Sequence, residues 1–151
     1  MDMTRTKYGN DFKLGEKFTT QAITVTEAHL VGWAGLTMDF YPIHMDKEFA
    51  AQSPFGERLA HGPLIFGLAV GLVSISGYGA DAVMAWLGAN NMKMLAPVKI
   101  GDTIKVTTEV REQKPTKDPS RGVQTWLYTV ANQHGQTVMV FDYTMMFHMK
   151  A

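Results

Sequence analysis

The chain has 151 residues, and its 14 lysines and arginines balance its 14 aspartates and glutamates at a formal net charge of zero. This length predicts a single domain over residues 1–151, and the charge balance argues against nucleic acid or an anionic membrane as the main partner. The sequence contains no cysteine, which excludes disulfides, thiolate metal sites and a cysteine nucleophile. A polar start, and an apolar stretch too short to span a bilayer, predict a cytoplasmic protein.

Two short helices are predicted in the first third of the chain. Thr26 is a candidate N-cap, and apolar residues behind it recur at helical spacing, which predicts a helix near residues 27–36. Pro42 disfavours any helix that runs continuously through it and predicts a bent loop at this point. Asp46 is a second candidate cap, for a short helix over residues 47–52.

The middle of the chain holds the strongest helical signal. Pro63 suits the first turn of a helix, and the glycines that follow residue 76 suit its end. Residues 64–75 are apolar all around rather than along one stripe, which predicts a helix that is buried on most sides. Gly67 and Gly71 lie four apart on one face of this helix and would let other backbone come close.

The character of the sequence changes to strands after about residue 82. Apolar and polar residues alternate over residues 104–111, residues 126–130 are rich in aromatic and β-branched types, and the apolar residues of 139–149 recur at every second position. Residues 132–136 suit a hairpin, and residues 114–121 suit a longer exposed loop. Helices, a buried helix and then antiparallel strands predict an α+β domain in which the sheet wraps around the central helix.

Asp39 and His44 form the first candidate pair for chemistry. A loop bent at Pro42 can bring a carboxylate and an imidazole to a common point, where they could share acid and base work on one water. The alternative is an aspartate that caps a turn and a histidine that donates to backbone. On these residues alone, the structural alternative is favoured.

The start of the central helix is the second candidate. If the helix begins at Pro63, the Gly62 N–H is a free donor at its positive end and could stabilise an oxyanion, and glycine leaves the approach open. The alternative is an ordinary helix start. The histidines show neither HxH nor HExxH spacing, so no metal site is predicted, and no GxSxG sequence indicates a serine nucleophile.

Taken together, these segments resemble the MaoC-like dehydratases, the (R)-specific enoyl-CoA hydratase family with the hot-dog fold. The family block G-D-x-N-P-hydrophobic-H, followed at a fixed offset by a small residue, is matched by Met38–His44 and Ala50. The block F-G-x-x-hydrophobic-A/S-H-G is matched by Phe55–Gly62, and a weaker block by Pro97–Thr103. The resemblance covers about residues 15–148.

The resemblance implies a fold, a reaction and roles for individual residues. The fold would be an antiparallel sheet wrapped around a long central helix, with an N-terminal helical overhang. The reaction would be reversible addition of water to a trans-2-enoyl-CoA, giving an (R)-3-hydroxyacyl-CoA. Asp39 and His44 would act on the water, and the Gly62 N–H would hold the thioester carbonyl. Three further residues in or directly beside the matched blocks are expected on the substrate side: Tyr41, His61 and Pro63.

Two positions depart from the family pattern. Met38 stands where the family has glycine, and Tyr41 stands where it has asparagine. A tyrosine cannot supply the amide that would hydrogen-bond in the loop or help to place the water, although its hydroxyl could reach the same region. The substitution bears on substrate identity first and on the standard reaction second.

The resemblance also implies partners, and it leaves rival functions open. Coenzyme A would be part of the substrate, no separate cofactor is expected, and the chain would form a homodimer or a larger assembly with the active-site tunnel at the subunit interface. An acyl-CoA thioesterase on the same fold would instead direct water at the thioester carbonyl. A non-catalytic acyl-thioester-binding module is the third possibility, but it would need neither Asp39 nor His44.

Overall fold

The computed structural model describes residues 5–150. Four α-helices lie in the first half of the chain: α1 (Glu27–Thr37), α2 (Pro42–Met45), α3 (Lys47–Ala51) and α4 (Gly62–Ile75). Short 3₁₀ turns occur at Gly9–Asp11 and Ala80–Ala82. Among the helices in this part of the chain, none combines the length and the apolar content needed to cross a bilayer.

Six strands form the antiparallel sheet: β1 (Lys17–Thr19), β2 (Ile23–Thr24), β3 (Val83–Met94), β4 (Thr103–Pro115), β5 (Arg121–Ala131) and β6 (Thr137–His148). The order across the sheet is β1-β4-β5-β6-β3, and the short β2 also pairs with β4. Strand β3 is therefore an edge strand, and its pairing with β6 is interrupted by register shifts.

The core lies between α4 and one face of the sheet. Strands β4, β5 and β6 alternate buried and less buried residues with period two, as strands with one covered face do. The sheet contributes large buried side chains that pack against the buried side of α4; among them are Trp126, Tyr128, Phe141 and Phe147. The predicted α+β hot-dog architecture is confirmed by this arrangement.

Both predicted helices of the overhang are present. Thr26 caps α1, which ends one residue beyond the predicted limit, and the Asp46 carboxylate accepts the backbone N–H groups of Glu48 and Phe49 at the start of α3. The prediction of a bent loop at Pro42 is wrong in one respect. Pro42 begins the helical turn α2, because a proline fits the first position of a helix as well as it interrupts one.

The prediction that the central helix is buried on most sides is wrong for the isolated chain. Leu64, Ile65 and Ala69 are buried against the sheet. Gly67, Gly71 and the following turn lie on an exposed face, where a side chain at position 71 would meet nothing within 4 Å. An all-apolar sequence therefore does not by itself determine how many sides of a helix one chain can cover. The predicted loop at 114–121 is also shorter, because β4 and β5 extend into it.

Candidate active site

The backbone around Asp39 is shaped by the end of α1. Met38 caps that helix in the left-handed region, with φ 65° and ψ 14°. Glycine adopts this conformation freely, whereas a residue with a side chain pays roughly 1–2 kcal/mol. The glycine that the family pattern has here therefore has a conformational reason. The turn sends the chain away from α1, and Oδ1 of Asp39 accepts a long hydrogen bond, 3.4 Å, from the Tyr41 N–H.

His44 lies on α2 and has one ring nitrogen committed. Its Nδ1 lies 2.8 Å from the backbone carbonyl oxygen of Leu59. A carbonyl can only accept, so Nδ1 carries the proton and Nε2 of the neutral ring is left as an acceptor. The Leu59 backbone is held on both sides, because its N–H donates to Ile43 and its neighbour Ala60 donates to Val98. The structure thus fixes the tautomer that a general base requires.

Burial acts on the same ring. Desolvation lowers the pKa of His44 from its ordinary value of 6.5, and repulsion from His61 adds to this effect. The hydrogen bond to Leu59 and the charge of Asp39 oppose it by raising the pKa. Because desolvation is the largest of these influences, His44 is held in its neutral, proton-accepting form near neutral pH.

Asp39, His44 and His61 come together although they are far apart in the chain. One polar side-chain atom from each lies within 4.8 Å of the other two. The His44 and His61 rings stack with centroids 3.9 Å apart and planes 26° apart. Ring lone pairs lie in the ring plane, so two nearly parallel rings do not direct them to one point at the roughly 2.0–2.1 Å that a metal requires. One water that makes two hydrogen bonds of about 2.8 Å each bridges polar atoms up to 4.8 Å apart more readily.

Gly62 and His44 line the same cavity. This first cavity has a volume of about 380 Å³, and its other walls come from the segment before α4 and from residues 94–98. Gly62 is the first residue of α4 and Pro63 follows it. Among residues 5–150 the Gly62 N–H has no acceptor, as expected at the start of a helix. It is therefore a free donor at the positive end of α4.

A second cavity of about 170 Å³ lies further along α4. It is lined by Val70 and Val73 of the helix and by aromatic residues of the sheet: Trp86, Trp126, Tyr128 and Tyr143. Burial raises the pKa of both tyrosine hydroxyls, so they stay protonated. Gly62, Phe66 and Val70 follow one another at i, i+4 and i+8, so one face of α4 leads from the first cavity to the second over about 12 Å.

The three residues that were expected on the substrate side do not line the first cavity. Tyr41 is 61% exposed, and its ring lies 6.4 Å from that of His44. Pro63 is exposed at the helix start, outside the lining of the first cavity. His61 is fully buried and stacks on His44 instead of lining that cavity.

Several residues near the site were not predicted from the sequence. Phe66 could have been found from its spacing to Gly62 on the helix. No local pattern, however, indicated that the Leu59 carbonyl binds His44 or that Met94 lies beside Gly62. These contacts depend on how distant segments pack.

The antiparallel sheet wrapped on the central helix defines a hot-dog fold, and the acid–imidazole pair lies beside the start of that helix. A Mycobacterium tuberculosis protein described as a double hot-dog fold superposes with a TM-score of 0.82 at 20% identity, over 95% of this chain and 44% of that one. The family model of the MaoC like domain matches residues 10–132. The chain therefore belongs to the MaoC-like hydratase/dehydratase family.

Individual relatives agree with this assignment. An (R)-specific enoyl-CoA hydratase of Rhodospirillum rubrum is 33% identical over 73% of this chain and 74% of its own length. A monoamine oxidase regulatory protein from Archaeoglobus superposes with a TM-score of 0.89 at 36% identity, with 96% of each chain covered. Protein MaoC of Klebsiella aerogenes is 41% identical over 66% of this chain, which spans only 29% of that protein. The chain likewise spans 60% of a Methylorubrum extorquens 3-hydroxybutyryl-CoA dehydratase, with 36% identity over 64% of this chain.

Proposed function

We propose that the protein catalyses reversible addition of water to a trans-2-enoyl-CoA, giving an (R)-3-hydroxyacyl-CoA. The observation that carries the proposal is the pairing of Asp39 with a His44 whose Nδ1–H is bound to Leu59. This leaves the carboxylate and Nε2 as two acceptors on side chains whose polar atoms approach within 4.8 Å, a separation that one water can bridge. A module that only binds acyl thioesters has no need for such a pair.

Asp39, His44 and Gly62 each have a distinct role in adding one water molecule across the double bond. The Asp39 carboxylate and Nε2 of His44 bind the water through its two hydrogens. As the water oxygen bonds to C3, Nε2 takes a proton from it, and the electron pair of the double bond moves towards the thioester oxygen. The Gly62 N–H stabilises that developing negative charge. His44 then delivers its proton to C2, so both groups add from the same side, and the reverse path is dehydration.

The acyl chain is proposed to run along the half-buried face of α4 that carries Gly62, Phe66 and Val70. With the thioester carbonyl at Gly62, a straight chain would pass Phe66 and end in the aromatic cavity beside Val70. That cavity is the smaller of the two, about 170 Å³ against about 380 Å³. This favours short and medium chains over long ones.

We also propose that the chain forms a homodimer through β3. Its outer edge has no partner strand within residues 5–150, and it carries exposed apolar side chains at Met84, Trp86, Leu87 and Met92. A long edge strand of this kind is a template for pairing with a second copy. Because Trp86 also lines the aromatic cavity, a second copy would help to close it.

The single domain over residues 1–151 and the cytoplasmic location stay predictions.

Two basic residues near the site already pair with carboxylates, so not every nearby cation is expected to bind the coenzyme A phosphates. Arg58 is already bound to Glu27 through two hydrogen bonds, and Nζ of Lys99 donates to Glu57 at 2.7 Å. The first pair joins the segment before α4 to α1, and the second joins it to the loop that precedes β4. Their first effect is to fix the position of the site.

The test is a panel of trans-2-enoyl-CoA substrates of four to twelve carbons, assayed in both directions. Loss of the enoyl absorbance without release of free thiol, and consumption of the product by an (R)-specific 3-hydroxyacyl-CoA dehydrogenase, are the expected results. Release of thiol from saturated and unsaturated acyl-CoA alike would assign the thioesterase function instead. Tight binding of acyl-CoA with neither reaction would assign the binding module.

A further inference from the structure

His61 lies between the two members of the proposed dyad and contacts both. Its side chain is fully buried. Its Nε2 lies 3.0 Å from the backbone carbonyl oxygen of Asp39, and its ring stacks on that of His44. Because a carbonyl only accepts, Nε2 carries the proton. One buried side chain therefore touches the backbone of the acid and the ring face of the base.

The other nitrogen of His61 confirms which tautomer is present. Nδ1 is buried and has no hydrogen-bond partner in the part of the chain that the structure describes. A proton there would be a buried donor without an acceptor, and the resulting positive charge would lie against the His44 ring. The arrangement fits a ring that donates from Nε2, which makes His61 a rigid spacer rather than a proton donor to substrate.

We propose that His61 is a positioning residue, whose Nε2–H fixes the backbone of Asp39 and whose ring fixes the plane and the dry environment of His44. The inference rests on the proposed hydration function and changes the role that the family resemblance suggested, from substrate contact to support. Catalytic pairs depend on such support, because a displacement of about 1 Å can cost on the order of 10²-fold in rate.

Two substitutions separate the two contacts. His61→Phe keeps an aromatic ring against His44 and removes the donor to Asp39. His61→Gln keeps an amide donor near the position of Nε2 and removes the ring. Burial is the largest influence on the pKa of His44 and lowers it, the charge of the Asp39 carboxylate raises it, and a charge on His61 would lower it further. Loss of the ring therefore admits water to His44 and relieves the desolvation that lowers its pKa.

The expected results differ between the two variants. His61→Phe lowers kcat on the order of 10²-fold with little change in KM, because Asp39 is no longer held. His61→Gln shifts the acid limb of the pH–rate profile, and the His44 titration followed by NMR without substrate, to higher pH, and by more than His61→Phe does. His134, exposed in the turn between β5 and β6, supplies the matched controls, His134→Phe and His134→Gln, which leave both quantities unchanged.

The proposal is overturned if both His61 variants, folded by circular dichroism, keep the wild-type kcat and the wild-type titration of His44. If neither variant folds, long-range ¹H–¹⁵N NMR of the wild-type protein decides the question. The expected tautomers are Nε2–H for His61 and Nδ1–H for His44, and the opposite tautomer at His61 contradicts the inference. A wild-type protein that hydrates no enoyl-CoA overturns the proposed function, whereas the NMR readouts still decide whether His61 holds the pair.

Discussion

Nδ1 of His44 donates to the carbonyl oxygen of Leu59 at 2.8 Å, across fifteen positions of sequence. His44 lies on a helix of only four residues, and this bond fixes which edge of its ring faces Leu59. It also leaves Nε2 as the atom that can take a proton. The acceptor is itself held in place, because Leu59 forms an antiparallel bridge with Lys99 and the Ala60 N–H donates to the Val98 carbonyl.

The pH dependence of hydration follows from the environment of His44. Burial lowers its pKa below the ordinary 6.5, and only the neutral ring accepts a proton from water. We therefore expect kcat/KM to fall on the acid side with an apparent pKa below 6.5, which belongs to the coupled pair rather than to one residue. In Asp39→Asn the loss of the carboxylate should lower the NMR titration of His44 further. An acid limb above 6.5 in the wild type would contradict this.

A methyl group at position 62 should interfere with the reaction more than with the fold. A Cβ there would meet only the Met94 side chain, at 3.6 Å and beyond, which is ordinary contact. Gly62→Ala should keep its melting temperature while kcat/KM falls on the order of 10²-fold, because the methyl group crowds the approach of a carbonyl to the N–H. The matched control is Gly71→Ala on the exposed face, expected to gain up to about 1 kcal/mol of stability with unchanged kinetics. Equal kinetics for both variants would remove Gly62 from the site.

Tyr41 is expected to influence which substrates are accepted. Tyr41 is 61% exposed and its ring lies at the edge of the site, so Tyr41→Asn should change stability by less than about 0.5 kcal/mol. The ranking of enoyl-CoA substrates by kcat/KM should change, while the best substrate keeps a rate within about tenfold. Tyr41→Phe distinguishes the hydroxyl from the ring. Loss of all hydration in Tyr41→Asn would instead place this residue in the chemical step.

Met38 should be a site where glycine stabilises the protein. Its φ of 65° lies in the left-handed region, and its side chain is 77% exposed, so removing the side chain relieves strain and forfeits little burial. Met38→Gly is expected to raise the free energy of unfolding by about 1 kcal/mol in urea titrations. Met38→Ala keeps the strained backbone with a Cβ and should show no such gain. A destabilised glycine variant would mean that the side chain makes a contact that outweighs the strain.

The sequence predicted the elements whose signals are local. The cap at Thr26, the cap at Asp46 and the limits of α4 follow from side-chain chemistry and spacing within a few residues, and each is present. The alternation in β4 and β6 likewise predicted which residues face the core.

The rest of the site depends on contacts between distant segments. Nothing near His61 in the sequence indicates that its ring stacks on His44, and nothing near Leu59 indicates that its carbonyl orients that ring. The exposed face of α4 was not predicted because the composition of the helix, a local signal, was misleading. Its composition is that of a buried helix, but one chain does not supply enough surface to cover it.

The most direct test of the central claim is the rate of enoyl-CoA hydration in Asp39→Asn, His44→Gln and the double variant. Asp118→Asn and His134→Gln, both in exposed turns, serve as matched controls. Each single variant should lose roughly 10²–10⁴ in kcat/KM, and the double variant should lose little more, because two groups that act on one water do not contribute independently. Wild-type rates in both single variants would contradict the assignment of Asp39 and His44 as the groups that activate water.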